Sequence, residues 1–229
     1  MPPVSAILPL FKHNANTAAM IRHSLTVIQS AVMKVNPHQV PVVAMDQPLF
    51  ALAKQIQWQW PNFFGKDKSV IIMGGLHVEM AALRMLGHWL DGSGWTHCLV
   101  QANIATPGVA NAFTHASHVK RTRYAHTVTA AALHTCLQDC YDTYCNEMST
   151  ETDSIAKSFD EWRNECSAAS VQFQYWNTVL ELELMVLTFV RSLREGNFHL
   201  YVKTLQNLLP WFFCIGPNAL CTLVARACP

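Results

Sequence analysis

The chain has 229 residues, 51% of them apolar and only 14% charged, which excludes a disordered chain and leaves room for one large domain or two small ones. The net charge of +1 excludes a global electrostatic attraction to nucleic acid or membrane and leaves only local patches.

The predicted elements follow in chain order. Residues 4–11 are a short apolar run, strand or extended. Residues 15–35 read as an amphipathic helix. Ile21, Leu25, Ile28, Val32 and Val35 fall at steps of four, three, four and three, which makes one stripe. Asn36-Pro37 stops it. Residues 40–45, VPVVAM, are β-branched and apolar on both faces, the pattern of a buried strand with Pro41 at its start. In DQPLFALAKQIQWQW a helix opens with Pro48 in its first turn. Leu49, Leu52, Ala53, Ile56 and Trp60 line one side of it, and Pro61 ends it. Residues 69–73 form a second buried strand. Gly74-Gly75 lead into a helix whose apolar face holds Val78, Ala81, Ala82, Met85, Leu86 and Trp89. DGSG at 91–94 ends it. The double glycine makes neither a dinucleotide fingerprint nor a phosphate loop. Strand, helix, strand, helix predicts a right-handed parallel crossover.

After residue 95 helices dominate, with a short strand at Cys98-Leu99-Val100 as the one exception. Helices are expected near 108–116, 119–147, 153–168, 171–194 and 198–209. In the longest, Val128, Ala132, Leu133, Cys136, Leu137, Cys140, Tyr141 and Tyr144 share a face that should be buried. LELEL at 180–184 alternates like a strand, but Phe173, Trp176, Leu187 and Val190 around it keep helical spacing.

Eight irregularly spaced cysteines in a chain of this length argue for free thiols rather than a disulfide scaffold. The start, MPPVSAILPLFKHN, lacks a basic n-region, so no signal peptide is expected. The expected location is intracellular, nuclear or cytoplasmic. Residues 208–225 run 18 positions without a charge, the lower limit of a membrane span. Pro210, Gly216, Pro217 and Asn218 interrupt them, so a membrane role is not expected.

Parallel strands place ligand sites beyond their carboxyl ends. Asp46 ends the first strand, His77 sits just past the second, and Glu79 follows. Together they are the candidate metal set, since hard divalent cations take carboxylate oxygens and tolerate histidine. Each also has a plain structural reading: Asp46 as a helix cap, Glu79 at a helix dipole, His77 as a boundary residue. HASHVKRTRYAH, 115–126, offers His118, Lys120, Arg121 and Arg123 as a candidate phosphate-backbone contact, or simply a solvated face. His134, Cys136, Cys140 and Cys145 lack the Cys-x-x-Cys spacing of zinc sites, and core packing is the expected use of that stripe.

VPVVAMDQPLFALAKQIQW…PNFFGKDKSVIIMGGLHVEM resembles the middle of a ribonuclease H-like core in Mutator-like and related transposases. There a strand ends in an aspartate and a histidine follows the next strand. Asp46, Pro61-Asn62 and His77 match that pattern over about residues 40–90. Over residues 3–213 the chain is similar to a group of transposon-derived animal proteins sharing runs such as GGLHVEMAALRMLG. The resemblance implies an α-rich α/β fold: residues 1–95 a partial ribonuclease H-like core of two or three strands, residues 96–213 an all-helical insertion-like region, and residues 214–229 a divergent, mobile tail. It also implies a deficit. Residues 1–45 contain no acid, and none follows LLPWFF, so Asp46 is the one catalytic acid matched and a relic. The expectation is therefore a domesticated or decaying transposase fragment without catalysis, with residual DNA binding. No cofactor is expected; Mg²⁺ or Mn²⁺ would enter only if the relic worked. The alternatives are a helical protein-interaction module, or a metal-dependent hydrolase that would need Glu181 or Glu183 beside Asp46.

Overall fold

The structure, a computed structural model, describes residues 7–8, 12–150 and 156–214. Two compact units divide after Val78.

The first unit begins with α1, Ala18–Val35, capped by Thr17, whose side chain accepts from the Met20 amide. β1, Val42–Met45, leads directly into α2, Gln47–Gln59, and the short α3, Pro61–Phe64. β2, Val70–Met73, then pairs with β1 in parallel, Val42 opposite Val70 and Met45 opposite Met73. The strands are neighbours, as the short crossover requires. They are also the only two of the described residues' sheet, so the core is carried by helices. Ile21 and Leu25 of α1, Ala53 and Ile56 of α2, and Ile71 of β2 pack together. The stripe expected on α1 is buried only at its start; Val35 is exposed. Residues 4–6 and 9–11 of the N-terminal run lie outside the described residues.

Gln57 holds the turn between α3 and β2. It is buried, and its Nε2 donates to the carbonyls of Phe64 (3.0 Å) and Ser69 (2.7 Å). At the strand ends the Gly74 amide donates to the Met45 carbonyl at 2.7 Å. A Cβ at Gly74 would meet that carbonyl oxygen at 3.2 Å, which explains the first glycine of the pair.

The helix α4, Gly75–Trp89, contributes its residues from Glu79 onward to the second unit. There follow α5, Trp95–Gln101; α6, Pro107–Phe113; α7, Val119–Thr150; α8, Phe159–Ala169; α9, Val171–Glu195; and α10, Phe198–Cys214. Cys98-Leu99-Val100 is helical, not a strand: Gly94, at φ 87°, turns the chain, and Cys98 N donates to the Gly94 carbonyl. LELEL lies within α9, with Leu180, Leu182 and Glu183 buried. α8 starts later than expected, where Ser158 and Glu161 form a capping box. α10 runs through Pro210 to Cys214 rather than ending before it. Residues 215–229, the rest of the expected tail, lie outside the described residues, and no helix among those described is long and apolar enough to cross a membrane.

The expected buried face of α7 is the main correction. Ala132, Cys136 and Cys140 are exposed, and Leu133 and Leu137 are only half-buried. The helix is apolar on that side, but nothing among the described residues covers it fully.

Candidate functional site

Asp46 sits directly after β1 and caps α2: its Oδ1 accepts from the Leu49 amide at 3.1 Å. The carboxylate offsets an unpaired amide in the first turn, ordinary work for a cap. Asp46→Ala is expected to lower stability by about 1 kcal/mol, read as a urea-midpoint shift, whatever else the residue does. His77 lies half-buried in the first turn of α4, its amide donating to the Gly74 carbonyl at 3.0 Å.

Glu79 is used elsewhere. It is 2% exposed, and both its oxygens accept from Arg123, Nε at 2.6 Å and Nη2 at 2.8 Å. This two-point contact raises the Arg123 pKa further and commits both side chains. The expected metal set thus loses Glu79, and the expected phosphate set loses the free guanidinium of Arg123. Among the described residues no group of three or more His, Cys, Asp or Glu could hold a metal ion, and this includes His134, Cys136, Cys140 and Cys145. Glu181 pairs with Arg163 on the surface.

The rest of the basic cluster remains in solvent. His115, His118, Lys120 and Arg121 are exposed at the start of α7, beside the exposed ring of Tyr124. Spacing could not reveal that α4 adds to this patch. Gly87 lies so close to Thr114 that a Cβ there would sit 2.1 Å from its carbonyl oxygen. That approach brings the exposed Arg84 and His88 to the loop before α7, and Arg84 Nε donates to the His115 carbonyl at 3.3 Å. The loop turns through two left-handed residues, Ala116 at φ 54° and His118 at φ 56°. Thr122 Oγ1 ties it down by donating to the Ser117 carbonyl at 2.5 Å.

Two features were absent from the sequence reading. The first is a buried pair on α7 and α9: His126 Nδ1 and Glu183 Oε1 are 2.7 Å apart, with side chains 1% and 0% exposed. Burial raises the Glu183 carboxyl pKa, and the neighbouring His126 partly opposes that. His126 Nε2 and Glu183 Oε2 find no hydrogen-bond partner among the described residues. The Trp95 ring stacks on His126 at 4.9 Å, and its Nε1 donates to Thr129 Oγ1 at 2.8 Å.

The second is a cleft of about 650 Å³ with Trp95 in its lining. α7 forms one wall with Val128, Ala132, Leu133, Cys136, Leu137 and Cys140, the stripe that was expected to be buried. Trp95 and Leu99 of α5 and Phe173 and Trp176 of α9 form the others. Its size and apolar lining are those of binding cavities.

A profile described as Domain of unknown function (DUF8702) matches residues 4–161. The chain belongs to this family. The DUF8702 match takes in the strand pair, the basic patch and the α7 wall of the cleft, and it ends within α8, so α9 lies beyond it. No curated protein and no solved structure matches the chain.

Proposed function

We propose that this chain is a transposase-derived binding protein without catalysis, which contacts nucleic acid through the patch at the start of α7. The observation that carries this is the gathering of Arg84, His88, His115, His118, Lys120 and Arg121, all exposed, onto one side of the helical unit. Glu79 is paired with Arg123 and so offers no free carboxylate. Cations so placed take phosphate oxygens, and Tyr124 offers a face on which a base can stack. The ribonuclease H-like ancestry is supported by the parallel strands with Asp46 and His77 at one end of the sheet. The lack of catalysis is supported by the occupations of Asp46 and Glu79. Two-metal phosphoryl transfer needs several carboxylates free to face two cations.

The test is binding of labelled single- and double-stranded DNA across a salt series, with Mg²⁺ or Mn²⁺ added in parallel. Affinity should fall steeply with salt, and Lys120→Ala with Arg121→Ala should reduce the log–log slope by about 2. Arg123→Ala should act on stability instead. A slope untouched by the double variant would remove the DNA reading. Metal-dependent cleavage lost in Asp46→Ala would restore a nuclease. A second reading, a protein-interaction module, is favoured by the open cleft.

A further inference from the structure

α8 doubles back along α7, and in doing so it sets one cysteine against another. Lys157, just ahead of α8, is bonded to two tyrosines of α7. Its carbonyl accepts from Tyr141 Oη at 2.8 Å, and its amide donates to Tyr144 Oη at 3.2 Å. Ser170, which closes α8, lines the cleft together with Cys136, Leu137 and Cys140, farther back on α7. The two helices therefore run antiparallel. Aromatic rings fill the rung nearest the connection: Trp162 lies 5.2 Å from Tyr141 and 6.1 Å from Tyr144, stacked on the latter.

On each helix, residues four apart share a face. The next rung of an antiparallel pair thus lies four residues back on α7 and four residues on along α8. Four back from Tyr144 is Cys140, and four on from Trp162 is Cys166. Since Tyr144 and Trp162 face each other, so do the two cysteines. The electrostatics agree. The Cys166 thiol pKa is pushed up by burial first, and then by negative charge at Glu165 and at Cys140. Cys140 is exposed and Cys166 half-buried, and both are free thiols. Cys136 is closer to Cys140 in sequence but is the poorer partner. One turn apart on a single helix, Cβ atoms are held about 5–6 Å from each other. A disulfide needs about 3.5–4.5 Å, so that pair would have to unwind α7. Cys140 and Cys166 stand on separate helices, and α8, only 11 residues long, can shift to close the gap.

We propose that Cys140 and Cys166 form a reversible disulfide site that staples α8 to α7 under peroxide. The exposed Cys140 thiolate attacks hydrogen peroxide and breaks its O–O bond. One oxygen stays on the sulfur as a sulfenic acid, and the other leaves as water. Cys166 then attacks that sulfur, the S–S bond forms, and the sulfenic oxygen leaves with the thiol proton as a second water. Two thiols give up two electrons and two protons, and one peroxide takes them. A thiol reductant reverses the step by exchange. The staple pins the end of the cleft where Cys140 and Ser170 meet, and the basic patch at the start of α7 is left untouched.

The test uses the intact chain, reduced, exposed to a small excess of hydrogen peroxide, quenched by alkylation and digested with trypsin without reduction. Cleavage after Arg123, Lys157, Arg163 and Arg191 leaves Cys136, Cys140 and Cys145 on peptide 124–157 and Cys166 alone on peptide 164–191. The expected result is a cross-link between these two peptides in monomeric chain. Cys140→Ser and Cys166→Ser should each abolish it, and Cys136→Ser and Cys145→Ser should leave it. Serine is close to cysteine in size, so the fold should survive, and circular dichroism checks that. Oxidation should raise the urea midpoint, because the cross-link restricts the unfolded chain, and a thiol reductant should return it. The link should form about tenfold faster in the native chain than in the chain held in urea, since the fold supplies the alignment. A link that survives Cys140→Ser, a disulfide confined to peptide 124–157, or equal rates in both states would overturn the proposal. So would sulfinic acid at Cys140 with no link, or a link found only between chains.

Discussion

Glu183→Ala is expected to destabilise the helical unit by about 3–5 kcal/mol, seen as a lower urea midpoint. The carboxylate is wholly buried against His126, and its removal leaves the imidazole desolvated with neither ring nitrogen partnered. Glu183→Gln keeps an oxygen that can accept from Nδ1, so it should cost much less. Replacing both residues by leucine should be neutral or stabilising by about 1–4 kcal/mol, because two desolvated polar groups are removed together. An alanine variant as stable as the wild type would show that the pair is not buried as described. The dependence on pH has a definite sign. Burial raises the Glu183 carboxyl, so the folded chain holds this proton more tightly than the unfolded chain does. The group's contribution is complete below the ordinary glutamate range and is lost as pH climbs through the raised value. In Glu183→Gln that part of the pH dependence should disappear.

Gly87→Ala is the second large effect. Alanine is the better helix former by about 1 kcal/mol, and in an isolated helix the change would stabilise. Here the new Cβ would lie 2.1 Å from the Thr114 oxygen and 2.6 Å from both Thr114 C and Cα, all backbone atoms. The loop must retreat, and the net loss should be about 3 kcal/mol. Hydrogen exchange should quicken at residues 114–118, and DNA affinity should fall with it. A melting temperature equal to or above the wild type's would show that the helix and loop are not in contact.

Much of the backbone could be read from the residues. VPVVAM and SVIIM are both rich in β-branched residues and are joined by a helical crossover, α2 and the short α3, which favours a parallel pair, and the pair forms with Met45 opposite Met73. The helices after residue 107 follow their apolar periods to within a few residues at most ends. Cys98-Leu99-Val100 misled because three apolar residues carry no period, and the turn at Gly94 decides the matter. The face of α7 misled for a different reason: periodicity shows that one side of a helix is apolar, not that another element covers it.

The candidate site was less legible, because its decisive contacts are long-range. Glu79 and Arg123 are 44 residues apart, and His126 and Glu183 are 57 apart. No spacing rule connects them. Asp46 after a strand and before Pro48 fits both a ligand and a cap, and only the bond to the Leu49 amide distinguishes them. Arg84 and His88 joined the basic patch through a backbone approach at Gly87, and the only trace of that in the sequence is a glycine inside a helix.

Three of the free thiols, Cys98, Cys136 and Cys140, are exposed along the walls of one cleft. That makes the cleft an oxidation target. A thiol carried to sulfinic or sulfonic acid puts a fixed negative charge where the wall is otherwise apolar. The same three atoms can report occupancy without any engineered label. An alkylating reagent counted by intact mass would reach all of them in the free chain, and a seated partner would slow it at those positions alone.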